Sequence, residues 1–474
     1  MKTVELIKNR IGNKRCAVLG LGVSNIPLVE ILIKCGNEIT VYDKNGFDKL
    51  DPCAKDFERY GVRFVTGENY LDQIDADIIF RSPGIRPDYD GIRKAIENGA
   101  ELTSEMELFL ELTPAYILGV TGSDGKTTTT TIAYKLLEKE FENSDRKIYV
   151  GGNIGTPLLS KVGEMTERDI CVLELSSFQL FTMKNSPHRA VITNLSPNHL
   201  DWHKGMGEYV EAKTNIYKHG CHKLTLNGNN ELSKELLVAD DIELAWFSAD
   251  YSYDDIVEKY KDKPEEKSKS AMFIHDGNIY RYYNNHVLRV LNLDSILIPG
   301  RHNIENYMAA ISLTWGMVSE PTIYYIAKTF GGVEHRLELV RELDGVIYIN
   351  SSIDSSPTRT AAALSALPIK PIVICGGYDK QIPFEPLADA LNERAKAVVL
   401  TGNTAEKIHE VLKKSNSQIE IYIEKDFKEA VNRARAIAKK DDIVLLSPAC
   451  ASFDAFKNFM VRGNTFKQIV NEFK

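Results

Sequence analysis

Short apolar runs alternate with helix-like segments along the first hundred residues. The runs at Arg15–Leu19, 38–42 and 77–80 have the length and composition of buried strands, and an apolar helical segment covers 26–34. Strands that alternate with helices form βαβ units, in which the strands are parallel and helices cover the sheet. The pattern therefore predicts a parallel α/β domain at the start of the chain.

The turn after the first strand has a glycine pattern that is common in nucleotide-binding folds. Residues 20–25 read GLGVSN, so Asn25 replaces the third glycine of the dinucleotide-binding fingerprint, and the acidic residue Asp43 follows the second strand. The third glycine of that fingerprint allows the helix to pack closely on the strand. Its replacement favours a nucleotide-sugar site or a structural turn over an intact nicotinamide site.

A second strand–turn–helix pattern carries a stronger signal. Residues 115–131 read AYILGVTGSDGKTTTTT, in which Gly122 and Gly125 let successive backbone N–H groups converge on an anion. Lys126 can reach the outer phosphates of a nucleotide, and the hydroxyl of Thr127 suits Mg²⁺. Val120 stands where the usual P-loop has its first glycine, so the spacing departs from that motif. We nevertheless predict a nucleotide phosphate site here.

Three further residues of the middle section follow strands or lie on a helix. Glu174 lies near the end of the apolar run at 170–175, where a carboxylate could hold Mg²⁺ against the terminal phosphates. A lone histidine such as His199 is more often structural than a ligand. Lys213 lies in the helical segment 209–217, where a solvated lysine is the ordinary interpretation.

The last part of the chain alternates again. Strand-like runs at 346–349, 371–375, 397–400, 420–423 and 443–446 predict a second doubly wound domain.

Polar loops follow three of these runs, with the sequences SSIDSSPTR at 351–359, GGYDK at 376–380 and SPACASFDAFKNF at 447–459. These loops form either an anion pocket for a small carboxylate or ordinary polar surface.

The joint before this last part is marked by Gly331 and Gly332, which we predict to be a hinge. His335 and Arg336 follow it and either reach a phosphate or form a surface ion pair.

Composition bounds these interpretations. A chain of 474 residues is too long for one core and favours three domains, and a net charge of −8 argues against nucleic-acid and membrane partners. The seven cysteines are scattered without a C-x-x-C pair, which is typical of free thiols in a reducing cytosol. No apolar run is long enough to span a bilayer, so we expect a cytoplasmic protein.

Taken together, the motifs resemble the Mur ligase family, ATP-dependent amide-forming enzymes of bacterial cell-wall synthesis. The resemblance covers nearly the whole chain and includes residues 119–128, 152–155, 173–179, 194–201, 300–306, 334–336 and 445–463. It implies an α/β fold of three domains: an N-terminal Rossmann-like parallel sheet that binds a UDP-sugar (1–104), a central P-loop-like ATPase domain (105–332) and a C-terminal Rossmann-like domain that binds the amino acid (333–474).

The final segment, LLSPACASFDAFKNFMVRG, is most similar to the branch of the family that adds D-glutamate to UDP-N-acetylmuramoyl-L-alanine. The resemblance therefore implies an ATP-dependent ligase of peptidoglycan precursor synthesis that works through an acyl phosphate. These two small molecules, ATP and Mg²⁺ are the implied partners, and we expect the enzyme to be a monomer.

The resemblance also implies roles for individual residues on the nucleotide side. It implies ATP contacts at Gly122, Ser123, Asp124, Gly125, Lys126, Thr127, Thr128, Asn303, Asn306, His335 and Arg336. It implies two Mg²⁺ sites with ligands from Thr127, Glu174, His199 and Lys213. Lys213 aligns with a lysine that CO₂ carbamylates in the family, and Lys126, His199 and Lys213 are the implied catalytic residues.

The two substrates are assigned in the same way. The UDP-sugar is expected at Gly22, Val23, Ser24, Asp43, Ser82, Gly84 and Asn153. D-Glutamate is expected at Ser355, Lys380, Ser452 and Phe459.

Two positions depart from the family. Asp124 stands where asparagine is usual, and Ser351 replaces an aspartate that helps to hold the nucleotide in relatives. Both favour one alternative, an inactive nucleotide-binding regulator. The enzyme alternatives are a folylpolyglutamate synthase, against which the N-terminal βαβ region and the SPACASFDAFKNF segment argue, and a sibling ligase that adds another amino acid.

Overall fold

The computed structural model describes residues 2–260, 268–379, 382–415 and 417–474. The chain divides into two compact units, Met1–Thr329 and Phe330–Lys474. The first unit contains two sheets and the second contains one.

The first sheet is parallel throughout and has the strand order β3-β2-β1-β4-β5. Its strands are β1 (Arg15–Leu19), β2 (Glu38–Asp43), β3 (Arg63–Thr66), β4 (Ile78–Arg81) and β5 (Glu101–Thr103). The accompanying helices are α1 (Lys2–Ile11), α2 (Asn25–Cys35), α3 (Cys53–Arg59), α4 (Asp90–Glu97) and α5 (Glu105–Leu112). Strands β1 and β4 are almost completely buried, as expected for a parallel sheet covered on both faces.

The second sheet has nine strands in the order β14-β13-β12-β11-β10-β9-β6-β8-β7. Its strands are β6 (Tyr116–Thr121), β7 (Ile148–Gly152), β8 (Ile170–Glu174), β9 (Arg189–Ile192), β10 (Lys223–Asn227), β11 (Glu243–Phe247), β12 (Ser268–His275), β13 (Asn278–Tyr283) and β14 (His286–Asn292). The helices of this region are α6 (Lys126–Glu140), α7 (Ser177–Leu180), α8 (Met206–Thr214), α9 (Glu231–Lys234), α10 (Tyr253–Tyr260), α11 (Arg301–Thr314) and α12 (Glu320–Thr329). Among the described residues of this sheet, β13 pairs antiparallel with β12 and with β14, and the other neighbouring strands are parallel.

The third sheet, in the second unit, has the order β15-β16-β20-β17-β18-β19. Its strands are β15 (Glu338–Leu343), β16 (Val346–Asn350), β17 (Ile372–Cys375), β18 (Ala397–Leu400), β19 (Glu420–Ile423) and β20 (Ile443–Leu446). The helices are α13 (Pro357–Ala366), α14 (Glu385–Arg394), α15 (Ala405–Lys414), α16 (Phe427–Ile437) and α17 (Phe459–Glu472). The edge strand β15 is antiparallel to β16, and the other pairings are parallel.

The predicted α/β fold class is confirmed, and the strands predicted from apolar runs are present in all three sheets. Nine strands were not predicted: β3, β5, β7, β10, β11, β12, β13, β14 and β15. Of these, β13, β14 and β15 pair antiparallel with their neighbours, and their half-exposed faces give no continuous apolar run. The charged, proline-containing run at 261–270 predicts a solvated loop. Its residues 261–267 lie outside the described residues, and β12 begins at Ser268, so the last three residues of the run are strand.

All seven cysteines are free, as predicted, and all but Cys53 are buried. None of the helices in the described part of the chain combines the length and apolar character needed to cross a bilayer.

Candidate functional site

The turn between β6 and α6 is built for close approach. Gly122 and Gly125 have φ angles of 149° and 75°, in a region that favours glycine. A Cβ atom at Gly122 would lie 1.9 Å from Thr193 Oγ1, and one at Gly125 would lie 2.3 Å from Asn306 Oδ1. A side chain at Gly122 would clash with Thr193, the residue after β9, and a side chain at Gly125 would have to displace the Asn306 amide on α11. The positive φ angles make a substitution strained at both positions.

Hydrogen bonds hold this turn in one shape. Ser123 Oγ donates to the carbonyl of Ser196 at 2.9 Å and lies 2.8 Å from the hydroxyl of Tyr209 on α8. The backbone N–H of Asp124 donates to Asn194 Oδ1 at 2.9 Å. The turn is thus fixed from β9 and α8, while the Asp124 side chain is exposed.

Lys126 is the first residue of α6. Its ammonium group donates to the carbonyl oxygens of Gly122 at 3.0 Å and Ser123 at 2.8 Å. Thr127 and Thr128 follow in the first turn of the helix, whose N-terminal end favours an anion. The predicted phosphate-binding residues 122–128 therefore lie together in one loop and helix terminus.

Lys213 lies in the last turn of α8 and is 1 % exposed. Its Nζ atom donates to the carbonyl of Gly122 at 2.7 Å and to Thr121 Oγ1 at 3.1 Å. Burial, and then the charge of Lys126, lower the pKa of Lys213 well below its ordinary value, although Glu174 and Asp124 oppose this shift. A buried amine held in this way favours its neutral form, which is nucleophilic.

Glu174 ends β8 beside β6, in register with Val120, and is 1 % exposed. Its Oε1 atom accepts a hydrogen bond from Asn153 Nδ2 at 2.8 Å. Its Oε2 atom is buried and accepts no hydrogen bond from any of the described residues. Because an unsatisfied buried carboxylate oxygen is costly, this atom fits a cation that binds to it.

His199 lies in the loop after β9 with a positive φ of 53°. His199 is exposed, and its ring packs against Phe178 with ring centroids 4.8 Å apart. Partial burial, and then the nearby positive charge of Lys126, lower the pKa of His199, so its neutral form is favoured. Neutral imidazole is the form that ligates metals.

The side chains of Thr127, Glu174 and His199 fit Mg²⁺ better than a metal ion whose ligands are all protein side chains. Among the described residues, no three His, Cys, Asp or Glu side chains converge on one point. Mg²⁺ keeps several waters and usually takes one or two carboxylates together with phosphate oxygens. Glu174 and Thr127 could hold such an ion against a nucleotide, and the neutral imidazole of His199 could supply a further ligand.

Asn303 and Asn306, the two predicted ATP contacts on α11, lie next to the phosphate loop. Asn306 Oδ1 accepts a hydrogen bond from Thr129 Oγ1 at 3.2 Å, and Asn306 Nδ2 donates to Asn303 Oδ1 at 3.2 Å. Asn306 is buried and Asn303 is not. The two amides therefore continue the polar surface of the loop.

The predicted UDP-sugar residues of the first sheet gather at the ends of β1, β2 and β4. Asn25 Nδ2 donates to the carbonyl of Gly20 at 2.8 Å and to Ser82 Oγ at 3.0 Å. Asp43 Oδ2 accepts from the N–H of Leu21 at 2.9 Å. Gly22, Val23 and Ser24 lead into α2, and the Val23 side chain is 78 % exposed.

In the sequence, Asn25 is only the residue that replaces the third glycine of the fingerprint. In the structure, its amide joins the turn after β1 to the end of β4. An amide immediately before a predicted helix was the one sequence signal for this role.

In the second unit, the loops after β16 and β20 contain Ser355 and Ser452, and Phe459 begins α17. Arg462, which is 2 % exposed, joins these elements. Its guanidinium donates to Ser352 Oγ at 3.0 Å and to the carbonyls of Ser352 at 2.9 Å and Ala451 at 3.0 Å. Arg462 was missed at the sequence level because nothing in a helical arginine reveals its burial.

Buried Asp354 makes a second connection between the same loops. Its Oδ2 atom accepts a hydrogen bond from Ser447 Oγ at 2.9 Å, and burial raises the pKa of its carboxyl. Its carboxylate also accepts a hydrogen bond from Ser351, the residue that departs from the family.

His335 and Arg336 differ in exposure. His335 is buried, with Nδ1 3.0 Å from Asn350 Nδ2 and its ring packed edge-on against Phe459. Arg336 is exposed. Lys380, the remaining predicted D-glutamate contact, lies outside the described residues.

A parallel α/β sheet with a phosphate loop, a buried lysine and a half-satisfied buried carboxylate is the arrangement of a nucleotide-dependent enzyme. The Mur ligase middle domain matches residues 120–314, and the Mur ligase glutamate ligase domain matches residues 335–450. The chain belongs to the Mur ligase family.

Its relatives match over the full length. The UDP-N-acetylmuramoylalanine--D-glutamate ligase of Ruminiclostridium cellulolyticum is 45% identical over 480 residues, covering 99% of both chains. The enzyme of the same name from Clostridium novyi is 46% identical over 477 residues, again with 99% of each chain covered.

Solved structures agree on the fold. A UDP-N-acetylmuramoyl-L-alanyl-D-glutamate--2,6-diaminopimelate ligase superposes with a TM-score of 0.55 at 14% identity, over 98% of this chain and 94% of the other. A UDP-N-acetylmuramoylalanyl-D-glutamyl-2,6-diaminopimelate--D-alanyl-D-alanyl ligase from Acinetobacter baumannii gives a TM-score of 0.53 at 13% identity, over 98% of both chains. At these identities the likeness establishes the fold alone.

Proposed function

We propose that this protein is an ATP-dependent ligase that joins D-glutamate to UDP-N-acetylmuramoyl-L-alanine. The carboxylate of the acceptor attacks the γ-phosphorus of ATP, and ADP leaves. The amine of D-glutamate then attacks the carbonyl carbon of the resulting acyl phosphate, and phosphate leaves as the amine loses a proton. The observation that carries the proposal is the placement of Lys126, Lys213 and half-satisfied Glu174 around one phosphate loop, in a chain whose full-length relatives bear this activity in their names.

The phosphate loop would bind ATP through backbone N–H groups, Lys126 and the start of α6. Lys126 neutralises charge on the transferring phosphoryl group, and Asn303 and Asn306 extend the nucleotide contact. Mg²⁺, when bound by Thr127, Glu174, His199 and modified Lys213 at two sites, would supply charge stabilisation to the phosphates. We assign His335 and Arg336 to the ATP side from the family resemblance.

Lys213 would act as a carbamate. Its neutral amine donates a lone pair to the carbon of CO₂, one C–O π pair moves onto oxygen, and the amine releases a proton to solvent. This reaction converts the neutral amine into a negatively charged, carboxylate-like group. The lowered pKa of Lys213 supports it, because a protonated amine has no lone pair to donate.

The two substrates would bind to different sets of residues. Gly22, Val23, Ser24, Asp43, Ser82, Gly84 and Asn153 are proposed for the UDP-sugar, and Ser355, Lys380, Ser452 and Phe459 for D-glutamate. The proposed domains 1–104, 105–332 and 333–474 are supported by the fact that each of them contains one complete sheet.

The test is ADP release from UDP-N-acetylmuramoyl-L-alanine, MgATP and one amino acid at a time. We expect turnover with D-glutamate and little with L-alanine, L-lysine or meso-diaminopimelate. A preference for one of those three would identify a sibling ligase. ADP release that does not depend on both substrates would contradict the proposal, and no ADP release with any of these amino acids would favour an inactive regulator.

A further inference from the structure

The loop that follows β4 contains an arginine for which neither the family resemblance nor the proposed function has a role. Arg86 lies two residues after Gly84, and its side chain is 17% exposed. It donates two hydrogen bonds to Glu208 on α8, from Nη2 to Oε1 at 2.9 Å and from Nη1 to Oε2 at 3.0 Å. A planar fork on a carboxylate fixes the orientation of both groups.

A second contact joins the same two segments through Trp202. The indole Nε1 atom donates to the carbonyl of Gly84 at 2.9 Å, and the guanidinium carbon of Arg86 lies 4.7 Å from the centre of the Trp202 ring. Arg86 Nη1 also donates to the backbone carbonyl of Trp202. The loop after β4 is therefore held by the ring and the backbone carbonyl of Trp202 and by the carboxylate of Glu208.

Trp202 and Glu208, the two residues that hold this loop, belong to the segment that contains the proposed metal-site residues His199 and Lys213. The backbone N–H of Trp202 donates to the carbonyl of His199 at 3.1 Å. Glu208 lies in the first turn of α8, and Lys213 lies in the last turn of the same helix. The Glu208 carboxylate also accepts from the N–H of Lys204 at 2.8 Å, which closes the turn before the helix.

The charges favour a permanently formed pair. Hydrogen bonds from Arg86 lower the pKa of Glu208 to about 2, and the Asp88 carboxylate holds the opposite side of the guanidinium at 3.0 Å. Buried His203 lies beside the pair, with Nδ1 3.4 Å from Glu208 Oε2. Burial lowers the pKa of His203, so the imidazole adds no competing positive charge at neutral pH.

We propose that Arg86 is a positioning residue that locks the sugar-nucleotide loop at residues 82–84 to helix α8. This proposal rests on the proposed function, because it takes residues 82–84 as UDP-sugar contacts. Through the Glu208 fork, Arg86 sets the distance between the loop that receives the acceptor and the helix that carries Lys213. The acceptor carboxylate and the metal-site lysine are thereby placed together.

The test is a double-mutant cycle of Arg86→Lys and Glu208→Gln, measured by steady-state kinetics. Arg86→Lys keeps the charge but loses the fork, so the KM for UDP-N-acetylmuramoyl-L-alanine should rise about tenfold, with the KM for MgATP within about twofold of wild type. Glu208→Gln should give the same pattern. The double variant should be no worse than the more impaired single variant, because both changes remove one interaction.

The exposed pair Arg93 and Asp90 on α4 supplies the matched control. Arg93→Lys and Asp90→Asn should leave all KM values unchanged. Additive effects of Arg86→Lys and Glu208→Gln, or equal increases in every KM, would overturn the proposal. Absence of D-glutamate-dependent turnover in the wild type would instead refute the proposed function. The same double-mutant cycle would then be measured by calorimetry, as the affinity of each variant for UDP-N-acetylmuramoyl-L-alanine.

Discussion

The phosphate-loop region of the first unit and the strand-end loops of the second unit both bury polar groups, but they treat those groups in opposite ways. Around the phosphate loop, Glu174 Oε2 is left without a hydrogen bond from the described residues, and Lys213 is buried against the Gly122 carbonyl and the Thr121 hydroxyl. In the second unit, Arg462 and Asp354 are saturated by Ser352, Ser447 and nearby carbonyls.

The difference separates two kinds of polar site. Groups with unused bonding capacity are costly in the folded chain, and a ligand that satisfies them is bound more tightly as a result. Groups that satisfy one another stabilise loops and hold other residues in position. We therefore expect substitutions in the first region to reduce catalysis more than stability, and substitutions in the second region to do the reverse.

The largest expected effect is that of Lys126→Ala. Removing the cation at the phosphates should lower kcat by about a thousandfold or more, with the thermal unfolding midpoint unchanged. Lys135→Ala, on the exposed face of the same helix, is the matched control. Near-normal product formation by Lys126→Ala would remove the main support for a catalytic phosphate loop.

The second largest effect is expected for Lys213→Ala, which should reduce activity about a hundredfold or more because a metal-site group is lost. Short carboxylic acids added to this variant should restore part of the activity, since they can replace the carbamate. Lack of rescue in ADP-release assays would count against the carbamate.

In the wild-type enzyme, activity at fixed dissolved CO₂ should fall as the pH is lowered. The neutral amine is lost as pH falls through the pKa of Lys213, and the lowered pKa keeps this loss below the range of an ordinary lysine. Measuring pH–rate profiles at two CO₂ concentrations checks this, because more CO₂ should offset the loss. A profile that does not respond to CO₂ contradicts the expectation.

A smaller effect, on stability, is expected for Asp354→Ala. Ser447 and Ser351 would lose a buried acceptor, which should lower the free energy of unfolding by about 1–3 kcal/mol in urea titrations. Adding Ser351→Asp to this variant should restore part of the loss, because it returns a carboxylate three residues away. A loss of kcat with unchanged stability would break the distinction between the two regions.

The smallest effect is expected for Asp124→Asn. The Asp124 carboxylate is exposed beside the phosphate loop, and removing a like charge near the phosphates should lower the KM for MgATP by about fivefold or less. The gain should shrink at high salt, because exposed charges are screened. A higher KM in the variant would indicate that Asp124 contributes to cation binding instead.

Local sequence was sufficient for the phosphate loop and for those parallel strands that are short, continuous apolar runs, whereas the parallel strands β3, β5, β7, β10 and β11 were not predicted. The apolar runs of β1, β6 and β20 are short and continuous, and Gly122 and Gly125 stand where close approach requires glycine. Both signals arise within about ten residues of chain, so no knowledge of the fold was needed.

Long-range contacts could not be predicted in this way. Arg462 reaches Ser352 across 110 residues, and Arg86 reaches Glu208 across 122. An arginine in a helix or a loop has the same local pattern whether it is solvated or buried, so these partners follow only from the fold. The role of Lys213 was suggested by the family resemblance, and its burial beside Gly122 gives that suggestion a physical basis.

The carbonyl oxygen of Gly122 accepts hydrogen bonds from both Lys126 and Lys213. A triphosphate that draws the first lysine outward would leave this oxygen to the second alone, so arrival of the nucleotide would be felt at the other amine through one shared acceptor. Carbon-13 NMR of enzyme labelled with ¹³CO₂, recorded with and without ATP and in the absence of the other substrates, should therefore show a chemical-shift change at the carbamate carbon of Lys213. An unchanged signal would show that the two lysines act independently.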